Sequence, residues 1–146
     1  MKRIFVETVQ RAKGKYSFRI INICVMDNHF HLMIEPGREQ NLSRIMHWIL
    51  SVFAKQFNRA YSLHGHVWYD RFKSKIVYSL RQFMATFGYI DENPVRAKVV
   101  ARSADYAYGG HAFIRAGPGR LVDRPSRLVQ LLFPAFTLAR LQAPVR

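Results

Sequence analysis

Cysteine is almost absent from this 146-residue chain: Cys24 stands alone in the apolar stretch Ile20-Ile21-Asn22-Ile23-Cys24-Val25. That excludes an internal disulfide and a CxxC metal site, and leaves Cys24 to be read as a small core residue. No apolar run reaches the roughly 20 residues that cross a bilayer, and Met1-Lys2-Arg3 leads into Glu7, Gln10 and Arg11 rather than an apolar signal core. The sequence therefore reads as cytoplasmic, with no membrane partner. Acidic residues are few as well. Nine Asp and Glu stand against 23 Lys and Arg, a formal net charge of +14, which favours an anionic partner. Apolar residues make up 49% and aromatics 14%, enough for a real core, so a basic disordered tail is excluded as the main reading.

The periodicities predict an order α-β-β-α-β-α. Phe5, Val9, Ala12 and Tyr16 recur at helical spacing over Arg3 to Tyr16, with Gly14 near the stop. Phe18 to Met26 reads as a strand buried on both faces, Asp27-Asn28 as a turn, and His29 to Glu35 as the returning strand of a hairpin. After Pro36-Gly37, Asn41 is placed to cap the longest helix, whose stripe is Leu42, Ile45, Met46, Ile49, Phe53, Phe57 and Tyr61. Beyond Gly65, Trp68, Tyr69 and Phe72 alternate with basic residues before a strand expected at Lys75-Ile76-Val77-Tyr78. Leu80, Phe83, Met84, Phe87 and Ile90 mark a last helix that Pro94 is expected to end or shorten. Residues 101 to 146 hold seven Arg and no Lys, with four of the six prolines, and lose periodicity. We expect a domain over residues 1–108 and an irregular, Arg- and Pro-rich basic extension of low order over 109–146.

Three constellations stand out. His29 and His31, one residue apart on a strand, point to the same face and suit a metal such as Mn²⁺ or Zn²⁺ if a third ligand joins them. The plainer alternative is a hydrogen-bonded histidine pair beside a turn. Tyr89 lies off the apolar stripe of its helix, with Asn93 one turn further on the same face, an arrangement that can set a phenol beside a ligating carbonyl oxygen. An amphipathic surface tyrosine explains the same wheel. Trp68, Arg71, Lys73 and Lys75, with Lys55 and Arg59 on the polar side of the long helix, offer cations for phosphates and flat rings for unstacked bases. Here the alternative is a solvated strand edge whose aromatics are core.

Taken together, Met26-Asp27-Asn28-His29-Phe30-His31-Leu32 and Tyr89-Ile90-Asp91-Glu92-Asn93-Pro94-Val95-Arg96-Ala97 resemble the tyrosine transposases of the HUH class, and most closely the REP-associated tyrosine transposases of the IS200-like family. Between these blocks, Gly65-His66-Val67-Trp68 and Arg71-Phe72-Lys73-Ser74 are similar to the family's intervening patterns, in the same order and spacing. The resemblance covers roughly residues 3 to 108. The family usually opens with a strand beside its His-x-His strand. This chain starts in what looks like the following helix, so the domain is expected to lack that first strand. Asp27 stands where proline is frequent, and Ala107-Tyr108-Gly109-Gly110-His111 replaces a Trp-Ser-Ser-Tyr-like stretch.

The resemblance implies an α+β, ferredoxin-like sandwich, with an antiparallel sheet and helices on one face, acting on single-stranded DNA near hairpins in a bacterial-type, nucleoid-associated setting. It implies His29, His31 and Asn93 as ligands of a divalent metal, Mg²⁺ or Mn²⁺, and Tyr89 as nucleophile. Arg71, Lys73, Lys75, Trp68, Lys55, Arg59 and Arg96 would contact DNA. A free phenol has a pKa of about 10 and attacks poorly at neutral pH, so a cation that makes the scissile phosphate more electrophilic fits the scheme. The product would be a 5′-phosphotyrosine link and a free 3′-OH, with strand transfer as the reverse step. Relatives occur as monomers and dimers, so a homodimer stays open. The competing readings are a catalytically inactive module that binds DNA or RNA hairpins, and a small zinc-bound α/β protein using His29, His31 and either His66 or His64.

Overall fold

The computed structural model describes residues 1–68 and 70–138, and the chain divides into two compact units, Met1–Phe18 with Pro36–Ile76, and Arg19–Glu35 with the residues from Val77 onward. The first is built on two helices, α1 (Lys2–Lys15) and α2 (Leu42–Tyr61). Asn41 caps α2 as expected: its side-chain oxygen accepts from the Arg44 N–H at 3.2 Å, satisfying one of the free donors of the first turn. Phe5, Val9 and Ala12 of α1 and Ile45, Ile49 and Phe53 of α2 are buried, and the Phe5 and Phe53 rings meet edge to face at 5.5 Å. Thr8, fully buried among them, donates to the Ile4 carbonyl at 2.7 Å and lies 3.1 Å from Gln56 Oε1. After Gly65, whose φ of 92° is open to glycine at no steric cost, the chain returns to α2. There the Trp68 indole donates to the Leu50 carbonyl at 3.0 Å and its ring lies 5.1 Å from Phe53.

The second unit carries the sheet. β1 (Phe18–Val25) and β2 (Phe30–Pro36) form the expected antiparallel hairpin, closed where the Met26 N–H donates to the His29 carbonyl at 2.8 Å. The free edge of β1 is covered by later chain: Val25 N–H donates to Tyr108 O at 3.0 Å, Cys24 and Gly109 form a bridge, and Asp123 exchanges bonds with Ile20 through its N–H at 2.9 Å and its carboxylate at 2.8 Å. Cys24 is fully buried, as its apolar setting implies. α3 (Leu80–Arg96) begins at Ser79, which accepts from Gln82 N–H at 3.2 Å. A 3₁₀ turn (Ser103–Asp105), α4 (Gly110–Ala116), α5 (Arg127–Leu132) and α6 (Pro134–Leu138) follow.

The α+β class is as the sequence implies, but three local expectations are corrected. The strand expected at Lys75–Tyr78 does not form; Ile76 and Tyr78 are 65% and 80% exposed, and the sheet among the described residues has two strands. β-branched composition alone does not make a strand: its N–H and C=O groups need a ladder partner, and water serves them otherwise. Pro94 does not end α3, which runs two residues past it. So close to the C-terminus the ring removes a single donor, and the helix instead closes at Lys98 (φ 57°), with Val99 N–H on Pro94 O and Lys98 N–H on Val95 O, both at 2.9 Å. The stretch from 109 to 138 carries more order than its weak periodicity suggests. Ile114, Leu121, Val122, Val129 and Phe136 are all buried; Ile114, Val129 and Phe136 lie on helices too short to show a stripe, and Leu121 and Val122 lie in the chain between α4 and α5. Tyr69 and residues 139–146 of the expected basic segments lie outside the described residues.

Candidate active site

The site grows from the hairpin turn and the middle of α3, both in the second unit. Asn28, in the turn, places its side-chain oxygen 2.7 Å from His29 Nδ1, a contact that the Nδ1–H form of the ring satisfies by donating. The other nitrogen, Nε2, lies 3.3 Å from Asn93 Oδ1. In the Nδ1–H tautomer Nε2 and the amide oxygen both offer lone pairs that a cation could take, and an oxygen fixing a histidine from behind is the usual support of such a ligand. His31, the second residue of β2, stands beside this pair with ring centroids 5.1 Å apart. Its Nε2 is buried without a hydrogen-bond partner among the described residues. A buried polar atom with nothing to bond is costly and points to an unmet ligand. Burial, and then the neighbouring His29, hold the His31 pKa below the ordinary imidazole value, so the ring stays neutral and able to donate its lone pair.

Tyr89 and Asn93 are one turn apart on α3 and reach the same place. The Tyr89 ring meets His31 edge-on at 5.2 Å with 45% of the residue exposed, whereas Asn93 is only 7% exposed. Arg96, two turns along from Tyr89, sets its guanidinium carbon 5.3 Å from the tyrosine ring centre, a cation–π contact that holds the ring's face. The structure thus brings the sequence-derived set His29, His31, Tyr89 and Asn93 to one spot, with the phenol open to solvent and the amide oxygen inside. Two imidazole nitrogens and one amide oxygen, all uncharged donors, fit a small divalent ion with coordination positions left for substrate. Among the described residues no three His, Cys, Asp or Glu side chains gather to hold a metal.

A scan against protein-family models matches residues 1–93 to the IS200-like transposases. The chain belongs to the IS200-like transposase family. That makes it a transposase-type protein associated with DNA recombination, and the match contains His29, His31, Tyr89 and, as its last residue, Asn93. No curated protein and no solved structure matches the chain. No described helix of this transposase-family protein is long and apolar enough to cross a membrane.

The expected DNA contacts of this transposase-family chain are distributed differently. Lys55 and Arg59 project from the exposed side of α2, and Arg71, Lys73 and Lys75 are exposed in an irregular stretch, all in the first unit. Trp68 is half-buried, with its N–H donating to the Leu50 carbonyl and its ring 5.1 Å from Phe53. Arg96 belongs to the second unit and covers Tyr89. Sequence reasoning missed Asn28 as the support of His29, although its place directly before the histidine is a signal. It also missed Asn22, Ser103 and His111, single residues far from the motifs that surround α3, for which the sequence offers no periodic cue.

Proposed function

We propose that this protein cuts and rejoins single-stranded DNA beside hairpins through a 5′-phosphotyrosine intermediate, in the manner of the REP-associated branch of its family. The observation that carries the reading is the buried, partnerless Nε2 of His31, set between His29 and the exposed Tyr89. His29, His31 and Asn93 would hold Mg²⁺ or Mn²⁺, which when bound would polarise the scissile phosphate and offset charge on its non-bridging oxygens. Tyr89, exposed and held at its face by Arg96, presents its oxygen for in-line attack. The phenol oxygen bonds to phosphorus, the P–O3′ bond breaks, and the departing 3′-oxygen takes up the proton that the phenol gives up. Because one phosphoester replaces another, a 3′-OH from a second strand can attack the phosphotyrosine, release Tyr89 and join DNA without ATP. The exposed Lys55, Arg59, Arg71, Lys73 and Lys75 would contact backbone phosphates, in keeping with the +14 net charge.

The test is a denaturing-gel assay with hairpin-bearing single-stranded oligonucleotides and Mn²⁺, comparing wild type with Tyr89→Phe and His31→Ala. The expected result is an SDS-resistant, metal-dependent protein–DNA band that both substitutions remove. A folded wild type that binds the oligonucleotide but gives no band would instead identify a hairpin-binding module in which these side chains do no chemistry.

A further inference from the structure

Tyr89 and Asn93 are useful only if α3 holds one rotation and one register, and the structure fixes that helix at two points placed symmetrically about the tyrosine. Two residues before it, the Phe87 carbonyl accepts from the Asn22 side-chain amide at 3.3 Å, while Asn22 Oδ1 accepts from Ile23 N–H at 2.8 Å. Two residues after it, Asp91 is gripped by the chain that follows α3. His111 Nε2 lies 3.1 Å and 3.2 Å from the two Asp91 oxygens, and the Ser103 hydroxyl donates to Oδ2 at 3.1 Å. Asp91 offers only acceptors, so His111 Nε2 carries the hydrogen. Nδ1 is buried with no hydrogen-bond partner among the described residues.

The approach is close. Gly110, beside His111, is placed so that any Cβ there would collide with Asn22 Oδ1 and stand 2.6 Å from the Phe136 ring, so only glycine lets α4 begin against β1 and α6. Ser103, Gly110 and His111 all lie beyond residue 93, where the family match ends.

We infer that His111 and Ser103 are positioning residues, which lock Asp91 and thereby hold Tyr89 and Asn93 toward His31 and His29. The inference rests on the proposed role of Tyr89 and Asn93, and its experiment separates the two. His111→Leu removes the N–H while keeping an apolar side chain of similar reach; His111→Gln keeps an N–H donor where Nε2 stood; Ser103→Ala removes the second grip. In each folded variant, NMR reads the cross-peaks between the Tyr89 and His31 ring protons, and single-turnover adduct formation on a hairpin oligonucleotide is measured beside the oligonucleotide's Kd.

The expected result for His111→Leu is loss or weakening of the Tyr89–His31 cross-peaks and an adduct rate lower by about tenfold or more, since small misplacements of a reacting group are costly. The Kd should be unchanged, Ser103→Ala should show a smaller change of the same kind, and His111→Gln should restore both readouts. Unchanged cross-peaks in His111→Leu, or equal losses in His111→Leu and His111→Gln, would overturn the positioning role. If wild type forms no adduct, the reading of Tyr89 as nucleophile fails, and the cross-peaks alone still decide whether His111 sets the position of Tyr89.

Discussion

In the first unit the buried side chains are mostly rings and aliphatics that need only contact: Phe5, Val9, Ala12, Ile45, Ile49 and Phe53, with Thr8 satisfied by a helix carbonyl and an amide. In the second, Asn22, Asn93 and His111 are buried, and His31 and His111 each keep a nitrogen with no partner among the described residues. Desolvating a polar group without satisfying it costs about 1–3 kcal/mol, so such groups persist where something besides packing holds them. The first unit carries an apolar core and exposed cations; the second carries buried polar groups around the candidate site.

That contrast can be broken most sharply at Tyr89. Tyr89→Phe removes one exposed oxygen and no core contact, so adduct formation should vanish while the melting temperature stays within about 1 °C of wild type, as for most surface changes. A matching loss of stability would make the tyrosine part of the packing. Next in size, Asn93→Ala, or removal of divalent ions with EDTA, should slow adduct formation by roughly a hundredfold or more. Loss of a support behind a metal ligand alone costs 10–100-fold, and Asn28→Ala should fall in that lower range when Mn²⁺ affinity is titrated.

Phe53→Ala sharpens the other side of the comparison. It empties the place where Phe5, Phe57 and Trp68 meet, and should cost about 3–5 kcal/mol by urea unfolding. Smallest is the joint change Lys55→Ala with Arg59→Ala. If both side chains contact phosphates, the slope of log affinity against log salt should flatten by about 0.7 for each, measured by fluorescence anisotropy with a single-stranded oligonucleotide. An unchanged slope would take α2 out of the DNA-binding surface.

Much of this was legible in the sequence because it is encoded locally. Asn41 and the stripe from Leu42 to Phe53 specify α2, Asp27-Asn28 between apolar runs specifies the hairpin, and period-2 spacing puts His29 and His31 side by side. Tyr89 and Asn93, four apart, share a helix face by the same arithmetic. What was illegible depends on partners distant in the chain. Lys75–Tyr78 has strand-forming residues but pairs with no strand among the described residues, and Pro94 is tolerated because a C-terminal motif at Lys98 closes the helix just beyond it. The hold on Asp91 joins residues 12 and 20 positions away, through a histidine and a serine that no motif marks.

The central claim is that the Tyr89 oxygen becomes bonded to a 5′-phosphate of DNA. The most direct measurement is to trap the adduct formed with Mn²⁺ on a hairpin-bearing oligonucleotide, digest protein and DNA, and locate the modification by mass spectrometry. The account predicts a nucleotide attached through its 5′-phosphate to Tyr89, with a free 3′-OH on the released fragment. Attachment at another residue, or a 3′-phosphate on Tyr89, would contradict it.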